Sequence, residues 1–257
     1  MDLFNIVTLS DKRKNLLTFL YDGPKSWEEI RQVFQFPSAA IIPQIRILEG
    51  RNLVVRENGI YQLTTIGRVI TEHLKYLVAT IEVFEAQWKF WQEHNIDTIP
   101  DEFLMRIGDL GHVELNSVPI ERIYQMKEMF LSNISRAKVI YGLVHTMHPL
   151  YLSVFQDIAK GGSKISLIFT RPVFEIIQED YLDVLREWLD FKGIHLSVLD
   201  DDTQFSFIAT DKYMSLQLPF SNNTFDSINE ICSKDEKALS SCKDLFEFYR
   251  AKSFPVA

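Results

Sequence analysis

The pair Asn58-Gly59, set between Leu53-Val54-Val55 and Ile60-Tyr61-Gln62-Leu63, constrains this chain more than any other feature. Asn-Gly takes up the two left-handed conformations that a tight hairpin turn needs, and both flanking runs are β-prone. Residues 53–63 are therefore expected to fold back as a two-stranded ribbon. Three short helices are expected before it. Leu16, Leu17, Phe19 and Leu20 give the first an apolar face, with Ser10 placed to cap it and Gly23-Pro24 to stop it. Ser26 and Glu29, three residues apart, form a capping box ahead of Ile30, Val33 and Phe34. After an extended turn at Phe36-Pro37, Ser38 is placed to cap a third helix, whose Ile41, Ile45 and Leu48 recur at helical spacing.

Beyond the ribbon, Thr64 or Thr65 starts a long apolar helix expected to reach about His94. Such a helix must be covered, by a body or by a second copy of itself. Residues from Asn95 to Glu121 read as a connector, with a helix opened near Pro100 and closed at Gly111. Ile123, Met126, Met129 and Phe130 then mark a helix. After it, the runs AKVIYGLV, KISLIFT and IHLSVLD alternate with the helical stretches HPLYLSVFQDIAKGG and PVFEIIQEDYLDVLREWLDFKG, which implies parallel pairing through crossovers. A hairpin around Asp211-Lys212 and a last helix, LSSCKDLFEFYRAK, complete the pattern.

The 257 residues, 46% apolar and with only ten Gly and nine Pro, exclude a disordered or fibrous chain. No run reaches the roughly 18 apolar residues that span a bilayer, and the start carries no leader pattern, so a cytoplasmic protein without a membrane partner is expected. Cys232 and Cys242 are read as ordinary thiols. The net charge of −8 argues against nucleic acid until its distribution is considered. Residues 1–64 hold eight Lys or Arg against seven Asp or Glu, so the acidity belongs to the rest of the chain.

Three helices followed by a ribbon is the order of a winged helix-turn-helix, in which the third helix enters the major groove and the ribbon touches backbone or minor groove. The stretch IIPQIRILEGRNLVVRENGIYQLTTIGRVI resembles the recognition helix end and wing of archaeal and bacterial winged-helix regulators. Ile45, Leu48, Leu53-Val54 and Thr64-Thr65-Ile66-Gly67 match that pattern. Asn52 replaces the usual Gly but tolerates the same left-handed turn, and Pro43 interrupts the helix hydrogen bonding. Together with phrases such as NIDTIPDEFLMRIGDL and AKVIYGLVHTMHPLYLSVFQDIAKGG, the domain order resembles the archaeal methanogenesis regulatory family, FilR-type winged-helix transcription factors, over nearly the whole chain. That resemblance implies an α+β molecule: a winged helix-turn-helix at 1–64, linker and dimerisation helices at 65–120, and an α/β sensor half at 121–257 similar to a phospholipase-D-like fold. Phospholipase-D chemistry uses His-x-Lys followed by an Asp a few residues later, and the half at 121–257 holds no His-x-Lys, so the resemblance points to sensing and to no enzymatic activity.

On this frame the third helix is expected to expose Ser38, Ala39, Ile42, Pro43 and Arg46, with Arg46 reading guanine and Gln44 as a second reader. Ser26 and Ser38 would offer helix-start amides to phosphate. Arg51 and Arg56 flank the wing and Asn58 tips it. Lys12, Arg13 and Lys14 would add contacts to double-stranded DNA that carry no sequence information. In the α/β half, ligands gather beyond the carboxyl ends of parallel strands. That rule selects Tyr141, His145 and His148 after the first strand, Thr170 and Arg171 after the second, and Asp200 after the third. Arg171 is the sharpest of these because a guanidinium grips a carboxylate or phosphate through two hydrogen bonds. No nucleotide-binding glycine motif, H-E-x-x-H or G-x-S-x-G occurs, and His145-x-x-His148 supplies too few ligands for a metal; no cofactor is expected. The leading expectation is a homodimeric DNA-binding regulator controlled by a small molecule. The alternatives are a phosphodiesterase-like enzyme and a protein-interaction adaptor.

Overall fold

The computed structural model describes residues 2–34, 37–119, 121, 128–148 and 150–256. Phe36, Ile123 and Met126, expected in the turn and helix named above, lie outside the described residues. The chain forms two compact units, Met1–Ala79 and Thr80–Ala257.

The first unit opens with α1 (Leu3–Thr8), capped by the Asp2 carboxylate on the Asn5 amide at 2.8 Å, and continues into α2 (Asp11–Tyr21). No helix is expected at α1 from the sequence pattern, and Ser10, expected to cap α2, makes no side-chain cap bond. β1 (Lys25–Ser26) leads into α3 (Trp27–Phe34), where the capping box forms: the Glu29 amide donates to Ser26 Oγ at 3.2 Å and the Ser26 amide to Glu29 Oε2 at 2.7 Å. α4 (Ser38–Glu49) takes Pro37 as its N-cap, so Ser38 is its first helical residue rather than its cap, and the helix runs through Pro43. The ribbon is β2 (Val54–Glu57) and β3 (Ile60–Leu63), antiparallel with Val54 opposite Leu63. Asn58 (φ 50°) and Gly59 (φ 85°) both lie in the left-handed region, as the turn chemistry requires. β1 joins the far side of β3. Leu16, Leu17, Leu20, Ile30, Ile41, Ile45, Leu48 and Leu53 fill the core beneath.

α5 (Thr65–Ala86) starts on Thr64, whose Oγ accepts from the Gly67 amide at 3.0 Å and donates to the Asn52 carbonyl at 2.6 Å. Gly67 itself is needed there, because a Cβ would stand 1.9 Å from the Leu53 carbonyl oxygen. The long helix stops short of His94: Gln87 (φ −136°, ψ 48°) breaks it, and α6 (Trp88–Glu93) follows. Leu74 belongs to the core of the first unit, whereas Val83, Phe90, Trp91, Ile99, Ile107, Leu110 and Val113 belong to that of the second. The segment 65–120, read from sequence as a separate linker, is thus shared between the two cores.

The second unit is mixed α and β. After α7 (Asp101–Leu104) comes β4 (Val113–Ser117), a strand inside the stretch read as a connector, and then α8 (Glu128–Ile134). β5 (Val139–Val144), α9 (Tyr151–Lys160) and β6 (Lys164–Thr170) follow. The single helix expected next is two, α10 (Arg171–Asp180) and α11 (Leu182–Asp190), parted at Tyr181, whose φ of −135° leaves the helical region. β7 (Ile194–Leu199), the hairpin β8 (Ser206–Thr210) and β9 (Met214–Gln217), and β10 (Asn229–Ser233) precede α12 (Glu236–Arg250) and β11 (Phe254–Pro255). The eight strands run β11-β7-β6-β5-β8-β9-β10-β4, with β5, β6 and β7 parallel as the alternating pattern implies. One sheet face carries Ile140, Ile165, Leu167, Phe169 and Leu196 against Phe155, Ile177 and Trp188 from α9, α10 and α11. The other carries Leu143, Ile168, Leu199, Phe207 and Ile231 against Leu245, Phe246 and Tyr249 of α12.

Candidate functional site

In the first unit, α4 buries Ile41, Ile45 and Leu48 and turns Ala39, Ile42, Pro43 and Arg46 to solvent. Between α4 and the ribbon lies a groove of about 280 Å³ lined by Trp27, Ile42, Ile45, Arg46, Glu49, Arg56 and Tyr61. Arg46 and Arg56 thus reach one groove from two elements, and neither has a carboxylate within salt-bridge distance among the described residues. The Arg56 guanidinium lies 5.1 Å from the Tyr61 ring centroid, which orients it along the ribbon. Arg51 and Asn58 are exposed at the two ends of the ribbon region.

Other residues of the expected interface are already engaged. Gln44 is half-buried and its Oε1 accepts from Arg13 Nη1 at 2.7 Å. Arg13 is no surface cation at all: it is buried, with Nε donating to the Ile6 carbonyl at 2.6 Å, so it ties α2 to α1 and α4. A guanidinium that spends its donors on buried acceptors is not offered to phosphate. At Ser26 the amide meets the Glu29 carboxylate, whose own pKa is held down by the Ser26 backbone and hydroxyl bonds, so an anion already occupies that helix start. Lys14 pairs with Asp11 at 2.8 Å.

In the second unit, the parallel register sets Val144 beside Phe169 and Thr170 beside Leu199, which brings His145, Thr170, Arg171 and Asp200 to one edge of the sheet. Arg171 and Asp200 grip each other, Nε to Oδ1 at 2.6 Å and Nη2 to Oδ2 at 2.9 Å; this raises the arginine pKa and lowers the carboxylate's. His145 donates its amide to Ser206 Oγ at 2.9 Å, and burial lowers its imidazole pKa against the opposing pull of Asp202. His145 Nδ1 and Thr170 Oγ1 are buried atoms without a hydrogen-bond partner among the described residues. His148 Nδ1 accepts from the Leu150 amide at 3.2 Å, and its ring centroid is 5.5 Å from that of Tyr151.

Tyr141 is not brought to this edge. It stands in register with Ser166, four residues before His145 or roughly 13 Å along an extended strand. Its ring packs on Phe246, its hydroxyl reaches the Leu239 carbonyl at 3.5 Å, and burial pushes its pKa up to about 12. Sequence reasoning missed a larger cavity, about 760 Å³, between β6, β7, α12 and the β11 segment, with Ser166, His195, Ser197, Glu247 and Arg250 in its lining. The signal was present: Ser166, His195 and Ser197 are polar residues at alternating positions of otherwise apolar strands.

Residues 2–82 match the family described as methanogenesis regulatory protein FilR1, N-terminal domain, and residues 123–252 match its middle domain. A curated relative, methanogenesis regulatory protein FilR1 of Methanothrix harundinacea (strain 6Ac), is 24% identical over 251 residues, covering 95% of this chain and 56% of the relative. The chain therefore spans about half the length of the curated relative it matches. Among solved structures, TrmBL2, described as an archaeal chromatin protein with a novel mode of DNA binding, aligns over 95% of this chain and 92% of its own at 14% identity, with a TM-score of 0.46. NucT from Helicobacter pylori aligns over 56% of this chain and 99% of its own at 14% identity, with a TM-score of 0.43. With its amino-terminal residues and half its length matched in this way, the chain belongs to the FilR1 family of methanogenesis regulatory proteins.

Proposed function

We propose that this protein is a cytoplasmic transcriptional regulator that binds double-stranded DNA as a homodimer through a winged helix-turn-helix and answers to a small-molecule effector. The observation that carries the reading is the groove in which Arg46 of α4 and Arg56 of the ribbon converge, neither in a salt bridge with a carboxylate among the described residues. In it α4 is the recognition helix and Arg46 the base reader. Arg56, Arg51 and Asn58 contact backbone, and Ala39, Ile42 and Pro43 give the helix its apolar contact with the groove floor. Gln44, held by Arg13, acts by fixing α4 rather than by reading.

The α/β unit is the sensor, a phospholipase-D-like body that lacks His-x-Lys, and His145, Thr170, Arg171 and Asp200 form the edge at which its effector enters. An effector acts only by binding two arrangements of the protein unequally, with coupling of about 1–3 kcal/mol typical.

Mobility-shift titration of the full chain on the DNA upstream of its own gene tests the reading. Arg46→Ala is expected to cost about 1–3 kcal/mol on that DNA and to relax preference at one base pair, whereas Arg56→Ala weakens all sequences alike. Equal affinity of wild type and Arg46→Ala would remove Arg46 as the reader. Failure of the wild type to shift any DNA at low salt would remove the function.

A further inference from the structure

The cavity of about 760 Å³ beside α12 lies within the range of small-molecule sites, and two of its walls are chemically distinct. The sheet wall is polar. Ser166 and His195 are direct register partners across β6 and β7, and Ser197 stands two residues further on the same face. Their strand neighbours Ile165, Leu167, Ile194 and Leu196 are buried on the opposite face. All three line the cavity and none of their side chains hydrogen-bonds another described residue, so each has donor or acceptor capacity left for a ligand there.

The helix wall carries the charge. Glu247 and Arg250 lie one turn apart on α12, with Arg250 Nε and Nη2 both directed at a single oxygen, Glu247 Oε2, at 2.7 and 2.5 Å. The pair leaves two groups unused: Glu247 Oε1, and the end-on edge of the guanidinium formed by Nη1 and the outer Nη2 hydrogen. That edge has the geometry for a second, bidentate carboxylate. A net-charged ligand would leave one of the two lining charges facing it unfavourably, whereas a ligand carrying both signs close together satisfies both.

We propose that this cavity binds an amino-acid-type zwitterion, its carboxylate on the open edge of Arg250, its ammonium on Glu247 Oε1, and its side chain against Ser166, Ser197 and His195. The site is separate from the sheet edge at Arg171 and Asp200 and does not depend on DNA binding.

Calorimetric titration of the full chain with each of the twenty L-amino acids tests it, with propionate and propylammonium as single-charge controls. Saturable binding is expected for at least one amino acid with a polar side chain. Arg250→Gln and Glu247→Gln should each weaken it at least roughly tenfold, because each removes a charge-assisted hydrogen bond, and Asp200→Asn should leave it unchanged. Ser197→Leu, which replaces a polar group of the sheet wall with a bulkier apolar one without touching the charges, should weaken it. Three results overturn the proposal: no amino acid binding at millimolar concentration, propionate binding as tightly as the amino acid, or loss of binding in Asp200→Asn with retention in Arg250→Gln.

Discussion

His94 and Asp226 show how much one buried pair fixes. The imidazole is stacked between Phe90 and Phe220, with centroids 3.9 and 4.8 Å away, and its Nε2 lies 2.9 Å from Asp226 Oδ2. Its Nδ1 lies 2.7 Å from the Phe90 carbonyl, so both ring nitrogens face oxygen atoms. Asp226 also accepts from the Ile228 amide and from the amide and side chain of Asn229, which binds the end of α6 to the segment before β10. Burial pushes the Asp226 pKa up, but these hydrogen bonds together outweigh it and hold the carboxyl below its usual value of 3.8. A carboxyl with a depressed folded-state pKa contributes stability that is complete above its unfolded pKa and lost as pH falls through the folded one. Asp226→Asn is therefore expected to cost about 3–5 kcal/mol at pH 7, the scale of breaking a buried pair, and progressively less below about pH 4. Urea denaturation of both proteins at pH 7 and pH 3 checks this. A difference that does not narrow in acid would mean that the carboxylate charge is not what the site uses.

At the scale of elements, α4 contains its own test. Pro43 sits on the exposed side of a 12-residue helix, where it removes one amide and crowds the Ala39 carbonyl, yet the helix continues to Glu49. The buried Ile41, Ile45 and Leu48 hold it in place through tertiary packing. Pro43→Ala should stabilise the first unit by about 1–3 kcal/mol, since Pro is about 3 kcal/mol worse than Ala in a helix interior and a backbone that bends around the ring recovers part of that cost. Slower amide exchange along α4 would record it, and unchanged exchange would show that the local backbone is already relaxed around the ring.

What was readable from sequence divides along the same physical lines. The capping box at Ser26, the Asn58-Gly59 turn and the parallel trio β5, β6, β7 rest on local chemistry or clean periodicity, and each appears as expected. The breaks at Gln87 and Tyr181 do not announce themselves, because neither residue nor its neighbours is Gly or Pro. β4 is half exposed and reads as loop, while β10 is buried along most of its length and offers no alternation. The burial of Arg13 depends on carbonyls of α1, an element that its sequence conceals. Tyr141 was misplaced for want of register: the rule that ligands gather beyond strand ends applies to His145 and Thr170, whereas Tyr141 stands mid-sheet.

For the whole molecule, the distribution of charge and of exposed apolar surface bears on assembly. Within the first unit, α5 leaves Ile66 (50%), Val69 (56%), Tyr76 (59%) and Leu77 (50%) exposed, at spacings close to those of a helix seam. Large apolar side chains left in water along one helix face mark an interaction surface. Residues 1–64 have a net charge of only +1, so under the proposed reading one copy of the first unit would neutralise few phosphates and two copies would bind DNA more firmly than one. If α5 is the seam between copies, Leu77→Glu places like charges opposite each other across the twofold axis. Sedimentation equilibrium should then show a dimer for the wild type and a monomer for the variant at the same micromolar concentration. The consequence for DNA is a separate measurement: the slope of log affinity against log salt scales with the phosphates contacted, so it should fall to about half in the variant. A variant that keeps both the mass and the salt slope of the wild type would place the contact between copies elsewhere, whereas one that loses mass but keeps the slope would show that each head binds DNA without the other.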